Sequence, residues 1–209
     1  MKPEIKGAAG VILVGGKGKR MGRSKWDLPL CGKSLLSRTL RVIHPLFSEV
    51  IVVKRAEQEL ESELSRVKMV NDNPEFPVSA LRGLYSGMKN SEEEWVFLCG
   101  CDMPFIQAEL VQFLFSFRGS NSAVIPVLRD GPHPLHAFYH RSLLDSVEEN
   151  LRQGIFRIME LSKTVRVRRV KAEEIETANY DGHSFFNINT PPDLKYAEEF
   201  LQSRGDVCG

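Results

Sequence analysis

The sequence predicts an α/β protein with a mostly parallel sheet and helices on both of its faces. Short apolar runs rich in Val and Ile alternate along the chain with longer amphipathic stretches, and this β-α-β-α repetition is typical of a parallel sheet covered on both sides. A chain of 209 residues, 42% of them hydrophobic and 26% charged, suits one domain with a substantial core. A glycine-rich, basic loop follows the first apolar run, at the edge where such sheets bind ligands.

The first two thirds of the chain contain the regular part of this pattern. Runs of aliphatic and β-branched residues between turn signals predict buried strands, and apolar residues at helical intervals predict helices. Ser79 is the predicted N-cap of one helix. Strands are predicted at residues 9–14, 49–53, 67–70, 95–99 and 123–127, and helices at residues 34–46, 55–65, 80–89 and 107–117.

The last third of the chain is less regular. Alternating Val and Arg in one stretch are typical of a half-exposed strand, and Thr190 and Pro191 supply the N-cap and first-turn proline of a terminal helix. The predicted elements are a strand at the edge of the sheet at residues 133–139, a helix at 141–153, strands at 164–170 and 185–189, and a helix from 192 to about 203.

The composition excludes several classes of partner. The net charge is +1, so no overall attraction to nucleic acid or to a membrane surface is expected. Residues 1–4 have no apolar segment after them that would make a signal peptide, and no stretch approaches membrane-spanning length; we expect a cytoplasmic protein. The four cysteines, Cys31, Cys99, Cys101 and Cys208, fit no zinc pattern, and reduced thiols are expected.

The basic loop after the first strand has the composition of a polyphosphate site. Residues 15–25 hold four glycines, three lysines, two arginines and no acid. Bare backbone N–H groups beside cationic side chains suit phosphate oxygens. Met21 stands where the Rossmann fingerprint needs its third glycine, and Asp27 stands where a P-loop ending at residues 32–34 needs its first. The alternative is a basic surface turn that binds nothing.

Two aspartates follow predicted strands. Asp102 comes directly after the most hydrophobic strand, and an acid at the carboxyl end of a central strand is well placed to hold Mg²⁺ against nucleotide phosphates. The alternative role for Asp102 is a helix N-cap. Asp72 lies in an Asn-Asp-Asn-Pro turn after another strand, where aspartate is commonplace.

Together these motifs resemble those of the molybdenum cofactor nucleotidyltransferase family. The resemblance runs from residue 10 to about residue 197. It is carried by the loop Leu13-Val14-Gly15-Gly16 with Arg20-Met21-Gly22 and Lys25, by Cys101-Asp102 with Pro104, by His133-Pro134 with Ala137, and by the closing segment Phe186-Asn187-Ile188-Asn189-Thr190-Pro191.

The resemblance implies a single Rossmann-like domain of the nucleotidyltransferase type over residues 1–209, nucleotide-binding to about residue 130 and acceptor-binding beyond it. It also implies a role for each matching residue. The nucleotide is bound by Leu13, Val14, Gly15, Gly16, Lys25, Asp72 and Asp102; Arg20, Lys25 and Asp102 are catalytic, with Mg²⁺ on Asp102; and the acceptor meets His133, Arg157, Asn187 and Asn189.

The implied reaction transfers GMP from GTP to the phosphate of Mo-molybdopterin, giving molybdopterin guanine dinucleotide and pyrophosphate. Other cofactor-biosynthesis proteins or an acceptor molybdoenzyme are the implied protein partners. The Gly15-Gly16 pair favours guanylyl over cytidylyl transfer, whereas Val53 and the altered segment 79–83 depart from the family pattern in the nucleotide pocket. The alternatives are a cytidylyl- or sugar-phosphate nucleotidyltransferase of the same fold, and a nucleotide-binding adaptor without catalysis.

Overall fold

The computed structural model describes residues 4–14, 24–58, 60, 66–177, 180 and 182–205. The strands are β1 Ala8–Leu13, β2 Pro29–Leu30, β3 Lys33–Ser34, β4 Val50–Lys54, β5 Val67–Asn71, β6 Trp95–Gly100, β7 Ala123–Leu128, β8 Gly131–Pro132, β9 His136–His140 and β10 Val167–Lys171. The α-helices are α1 Leu35–Ile43, α2 Ala80–Asn90, α3 Ala108–Ser116, α4 Leu144–Arg152, α5 Ala172–Thr177 and α6 Pro191–Ser203. Short 3₁₀ helices span Lys25–Asp27, Arg141–Leu143, Ile158–Lys163 and His183–Phe185.

Within the described residues the strands form one large mixed sheet and one small hairpin. The order across the large sheet is β10-β7-β9-β6-β1-β4-β5, with β8 paired to β7, and β2 pairs only with β3. Strand β9 runs antiparallel to both of its neighbours, while β1 is parallel to β4 and to β6. The chain therefore leaves β1 toward β4 on one side and returns to β6 on the other, which makes the gap between β1 and β6 the topological switch point.

The sheet has a hydrophobic core on each face, as the alternation of elements predicts. On one face α1 and α3 pack against the strands through residues that include Leu40, Leu114 and Phe97. On the other face α2 and α4 do the same through residues that include Leu84 and Val147. A smaller third cluster joins the β2–β3 hairpin to α1 and α6. None of the helices in the described part of the chain has the length and apolar character that crossing a bilayer requires.

The predicted helix starts are confirmed by their caps. The Ser79 side chain accepts a hydrogen bond from the backbone N–H of Arg82 at the start of α2, and Ser34 caps α1 in the same way. Thr190 forms a reciprocal capping box with Asp193 at the start of α6, where Pro191 occupies the first turn. Each cap satisfies backbone donors that have no partner inside the helix.

The prediction that residues 133–139 form an edge strand is wrong in its position. Strand β9 begins at His136 and lies in the middle of the sheet between β6 and β7. Its residues Ala137, Phe138 and Tyr139 are fully buried, because both faces of an internal strand meet packed helices. The strand at that side of the sheet is β10.

Two further predicted elements differ from the structure. Residues 185–189 do not form a strand, since the 3₁₀ helix His183–Phe185 leads into an irregular segment whose Ile188 N–H donates to the Asp102 carbonyl outside the sheet. The predicted helix at 55–65 does not form over residues 55–58, where the Gln58 side chain accepts from the Arg55 backbone and closes a turn. Residues 59 and 61–65 lie outside the described residues.

The cysteines behave in two ways. Cys99 and Cys101 are buried free thiols, as predicted. Cys31, at the tip of the β2–β3 hairpin, is disulfide-bonded, so the prediction of reduced thiols is wrong for this residue. Disulfide formation depends on how close the fold brings two Cα atoms, which sequence spacing alone does not report.

Candidate active site

A cleft opens at the carboxyl edge of the sheet, over the switch point between β1 and β6. Its walls come from the ends of four neighbouring strands and from the first turn of α2. Among the described residues, the lining is Leu13, Val14, Lys25, Val53, Lys54, Arg55, Asp72, Val78, Ser79, Ala80, Gly83, Gly100, Cys101, Asp102 and Leu135. Ligands of open α/β sheets bind at this place.

Lys25 joins Asp102 to Asn189 at the end of the cleft where strand β6 stops. Its ammonium group donates to Asp102 Oδ2 at 2.8 Å and to Asn189 Oδ1 at 2.7 Å. The Lys25 and Asp102 side chains are 17% and 19% exposed, so the pair is shielded but remains open to a ligand. The predicted residues Lys25, Asp102 and Asn189 are therefore brought together.

Backbone contacts hold this group in place. The Cys101 N–H donates to the Leu13 carbonyl at 3.1 Å, and the Ile188 N–H donates to the Asp102 carbonyl at 2.9 Å. Gly100 has no side chain where a Cβ atom would collide with Asp102 Oδ1, so the carboxylate can fold back over the end of β6. The glycine before Cys101 is thus a steric requirement for this position of Asp102.

Asp72 lines the opposite end of the cleft, but its carboxylate is already occupied. Arg82 donates from Nε to Asp72 Oδ2 at 2.6 Å, and Ser86 donates to Oδ1 at 2.8 Å. Arg82 also donates to the Phe76 carbonyl and is buried. Arg82 was not identified as a site residue from the sequence. Its position in segment 79–83, which departs from the family pattern, was the signal that could have identified it.

Two further cationic residues line the cleft beside Asp72. Lys54 and Arg55 stand at the end of β4, between the ends of β1 and β5. Lys54 donates to the Gln58 carbonyl and to Asn71 Oδ1, and Gln58 Nε2 donates to the Val14 carbonyl. The strand-end rule that selects Asp72 and Asp102 also applies to Lys54, which directly follows the predicted strand 49–53. Arg55 was obscured because it was assigned to the predicted helix 55–65.

The remaining predicted residues of the nucleotide site divide between the cleft and the undescribed loop. Leu13 and Val14 line the cleft. Gly15, Gly16 and Arg20 lie outside the described residues.

Of the predicted acceptor residues, only Asn189 reaches the Lys25 group. Asn187 Nδ2 instead donates to the Phe185 carbonyl two residues earlier. His133 is paired with Asp130 at 3.0 Å in a separate shallow pocket next to His183 and Phe186. Arg157 is exposed at the N-cap of the 3₁₀ helix Ile158–Lys163.

Behind the site, buried groups are held uncharged. Burial, followed by the charge of His133, lowers the pKa of His136 to about 3, and its ring contacts Phe97 and Phe185. Burial also raises the pKa of the Cys99 and Cys101 thiols. His136 is therefore a neutral core residue.

The oxygens around Lys25 suit a hard divalent cation. Asp102 and Asn189 present one carboxylate and one carboxamide oxygen to the same positive charge. Mg²⁺ in nucleotide sites is bound by one or two carboxylates together with substrate phosphates. No cluster of three or more His, Cys, Asp or Glu side chains is found in the described ranges; a site completed by substrate phosphates does not need one.

The fold and this cleft define a nucleotide-binding α/β protein of the nucleotidyltransferase type. Comparison with known proteins agrees: residues 10–169 match the model of the MobA-like NTP transferase domain family. The chain belongs to this family. The match covers most of the described sheet and the cleft.

Individual relatives extend over nearly the whole chain. A probable molybdenum cofactor guanylyltransferase from Natranaerobius thermophilus is 32% identical over 91% of this chain and 95% of its own length. A molybdenum cofactor guanylyltransferase from Desulfosudis oleivorans is 28% identical over 93% and 96% of the two chains. The solved structure of molybdopterin-guanine dinucleotide biosynthesis protein A from Archaeoglobus fulgidus is 30% identical, covers 93% of this chain and 99% of its own, and superposes with a TM-score of 0.82.

Proposed function

We propose that this protein transfers GMP from GTP to the terminal phosphate of Mo-molybdopterin, giving molybdopterin guanine dinucleotide and pyrophosphate. The observation that carries the proposal is the Lys25 ammonium held between Asp102 and Asn189 at the switch-point cleft. The names of the relatives from Natranaerobius thermophilus and Desulfosudis oleivorans support the same substrates.

The reaction is a substitution at the α-phosphorus of GTP. An oxygen of the acceptor phosphate forms a bond to the α-phosphorus, the bond from that phosphorus to the bridging oxygen of the β-phosphate breaks, and pyrophosphate leaves with the electron pair. The nucleophile is already ionised, so no general base is required. Catalysis by the chain is then a matter of positioning and charge neutralisation.

Each end of the cleft has its own part in this reaction. Lys25 neutralises charge on the phosphates, together with Arg20 from the basic loop. Leu13 and Val14 line the cleft, and together with Gly15 and Gly16 they are the residues proposed to bind the base and the ribose. Asp72 acts at the base end as the fixed partner of Arg82.

Mg²⁺ is the proposed cofactor. Asp102 and Asn189 would hold it, and when bound it supplies neutralisation of phosphate charge. Lys25 donates to both oxygens, which orients the carboxylate and the carboxamide toward a shared positive charge.

The acceptor is proposed to approach from the C-terminal part of the chain. Apart from Leu135, the described residues that line the cleft come from the chain before residue 130, and Asn187, Asn189, His133 and Arg157 belong to the remainder. Asn189 is the member of this set that reaches Lys25, and it thereby joins the two halves of the site.

A cytidylyltransferase is the second candidate, because Val53 places an apolar side chain inside the nucleotide pocket. The 2-C-methyl-D-erythritol 4-phosphate cytidylyltransferase from Thermus thermophilus has the same fold, with a TM-score of 0.69 at 17% identity. At that identity the likeness shows the fold alone. The choice of base must therefore be measured.

The test is product formation from purified protein, Mo-molybdopterin and each nucleoside triphosphate in turn, with and without Mg²⁺. We expect the guanine dinucleotide and pyrophosphate from GTP only when the metal is present. Asp102→Asn should fold normally and lose at least about 100-fold in rate, because metal polarisation is worth several kcal/mol. Product from CTP alone, or metal-independent turnover, would refute the proposal.

A further inference from the structure

The end of the cleft formed by the ends of β4 and β5 and the start of α2, here called the base end, contains four polar side chains. These side chains differ in the hydrogen bonds they form. Lys54 has two acceptors, the Gln58 carbonyl and Asn71 Oδ1. Asp72 is bonded on both oxygens by Arg82 and Ser86. The Ser79 hydroxyl oxygen caps α2. These three are already engaged by the protein itself.

Arg55 is the fourth, and it is bonded differently. Its Nε is buried and has no hydrogen-bond partner among the described residues. Its guanidinium forms a 3.7 Å ion pair from Nη1 to the exposed Glu57 carboxylate. A buried donor without a partner is unfavourable, and in the part of the chain that the structure describes no protein acceptor close to the guanidinium satisfies the rest of the group. Arg55 lines the cleft, so a ligand bound there can supply acceptors to its guanidinium.

We propose that Arg55 is the base-reading residue of the cleft and donates from its guanidinium fork to O6 and N7 of guanine. This inference rests on the proposed function and names the residue that selects the nucleotide. Guanine presents two adjacent acceptors on that edge, whereas adenine presents N7 beside an amino donor. Arginine supplies two parallel donors in a rigid fork, which matches the first edge and not the second.

The position of Arg55 agrees with this role. It follows β4, while Asp102 follows β6, and β1 lies between these strands. Two strand spacings separate their ends by roughly 10 Å, so the base and the phosphates of one nucleotide can occupy the two ends with the ribose over β1. Val53, on the same strand, also lines the cleft but has no polar group to offer a base.

The test compares nucleotide analogues by calorimetry on the full chain with Mg²⁺. The ligands are GTP, ITP, 7-deaza-GTP and ATP, and the proteins are wild type, Arg55→Met, Arg55→Lys and Lys54→Met. ITP keeps O6 and N7, 7-deaza-GTP lacks N7, and ATP replaces O6 with an amino group. Arg55→Lys keeps the charge without the fork, and Lys54→Met removes the neighbouring cleft cation.

We expect wild type to bind GTP and ITP with similar affinity and both 7-deaza-GTP and ATP about 5- to 150-fold more weakly, the range of a bidentate arginine–guanine contact. Arg55→Met and Arg55→Lys should bind GTP more weakly and no longer distinguish it from 7-deaza-GTP. Lys54→Met should keep the wild-type ratio.

Two results would overturn the inference. One is that Arg55→Met keeps the wild-type ratio of GTP to 7-deaza-GTP affinity. The other is that it weakens all four ligands equally, which would make Arg55 a phosphate or ribose contact. A product assay tests the proposed function separately from the role of Arg55. If wild type transfers GMP but replacing Arg55 does not change the affinity ratios, only the proposal that Arg55 recognises guanine is refuted. A wild type that shows the Arg55-dependent ratios but forms no dinucleotide supports the base reading and refutes the transfer.

Discussion

The Lys25 side chain already provides the positive charge around which Asp102 and Asn189 are arranged. Both oxygens lie within 2.8 Å of the same nitrogen, although the three residues are far apart in the chain. A cation that binds these oxygens must share them with Lys25 or displace it. If Mg²⁺ took over both oxygens, the Lys25 ammonium group would be free to meet nucleotide phosphates.

Replacing Lys25 by Met should separate its two roles. Loss of a charge-assisted bond should weaken GTP binding by about 10- to 100-fold and slow transfer as well, because a phosphate cation acts in both the ground state and the transition state. Mn²⁺ affinity without nucleotide should rise, since Asp102 no longer has a resident partner. Calorimetry with GTP and with Mn²⁺ alone measures both, with the exposed Lys33→Met as control; unchanged affinity for both ligands would contradict the assignment.

His136 makes a second residue-scale prediction, for stability against pH. Its folded pKa of about 3 lies below the unfolded value near 6.5, so the unfolded chain binds the proton first. The contribution of neutral His136 to the free energy of unfolding is therefore fully present above the pKa of the unfolded state. It is lost as the pH falls toward the pKa of the folded state. When the pH is lowered from 7.5 to 5.5, protonation of His136 in the unfolded chain should lower the free energy of unfolding by about 1 kcal/mol.

Urea unfolding of wild type and His136→Phe at the two pH values measures this contribution. The variant keeps an aromatic ring beside Phe97 and Phe185 but cannot be protonated. We expect a smaller loss of unfolding free energy in the variant. An equal loss in both proteins would show that other groups control the acid side of the profile.

At the scale of elements, helix α2 both packs against the sheet and supplies one wall of the cleft. Ser79 starts the helix at the cleft, and Arg82 and Ser86, one turn apart, hold Asp72 at the end of β5. Farther along, Gly87 brings the helix backbone close to Val11 of β1. The position of α2 on β1 thus sets the width of the nucleotide site.

Gly87→Ala should therefore destabilise the protein although alanine is the better helix former. A Cβ atom there would lie 2.5 Å from Val11 Cγ1, and overpacking of a buried contact costs about 1–3 kcal/mol. This outweighs the gain of up to about 1 kcal/mol in helix propensity. Chemical denaturation gives the sign, and Lys89→Ala in the last turn should change stability by less than about 0.5 kcal/mol. A stabilised Gly87→Ala would show that the helix can move away.

Elements could be predicted where their signal is local. The caps at Ser79 and Thr190 and the buried strand after Trp95 follow from short patterns. The position of β9 could not be predicted, because its place between β6 and β7 is decided by pairing across the sheet. Arg82 was missed for the same reason: its partner Asp72 is ten residues away on a different element, and only the fold brings them together.

At the scale of the whole molecule, the proposed cleft draws on β1, β4, β5, β6, α2 and the segment before α6. Nucleotide bound there should stabilise the entire domain, since unfolding releases it. At 100 times the dissociation constant a ligand adds about 2.7 kcal/mol, which for a domain of this size raises Tm by roughly 5–11 °C.

Thermal melts with GTP and Mg²⁺ measure this shift. Omission of Mg²⁺, or Asp102→Asn, should reduce it, because metal and phosphate support each other's binding. CTP in place of GTP serves as the base control. An equal shift with both nucleotides would show that the cleft does not select guanine.

The position of Asn189 near the C-terminal end means that the site is completed late in the synthesis of the chain. Lys25 lies 77 positions from Asp102 and 164 from Asn189, so the second contact closes almost the whole length of the chain. Domains begin to fold as they emerge from the ribosome, N-terminal part first. A nascent chain can therefore form the strands that line the cleft before Asn189 has emerged, and a chain that ends before residue 189 would present the nucleotide cleft without the residue that completes it.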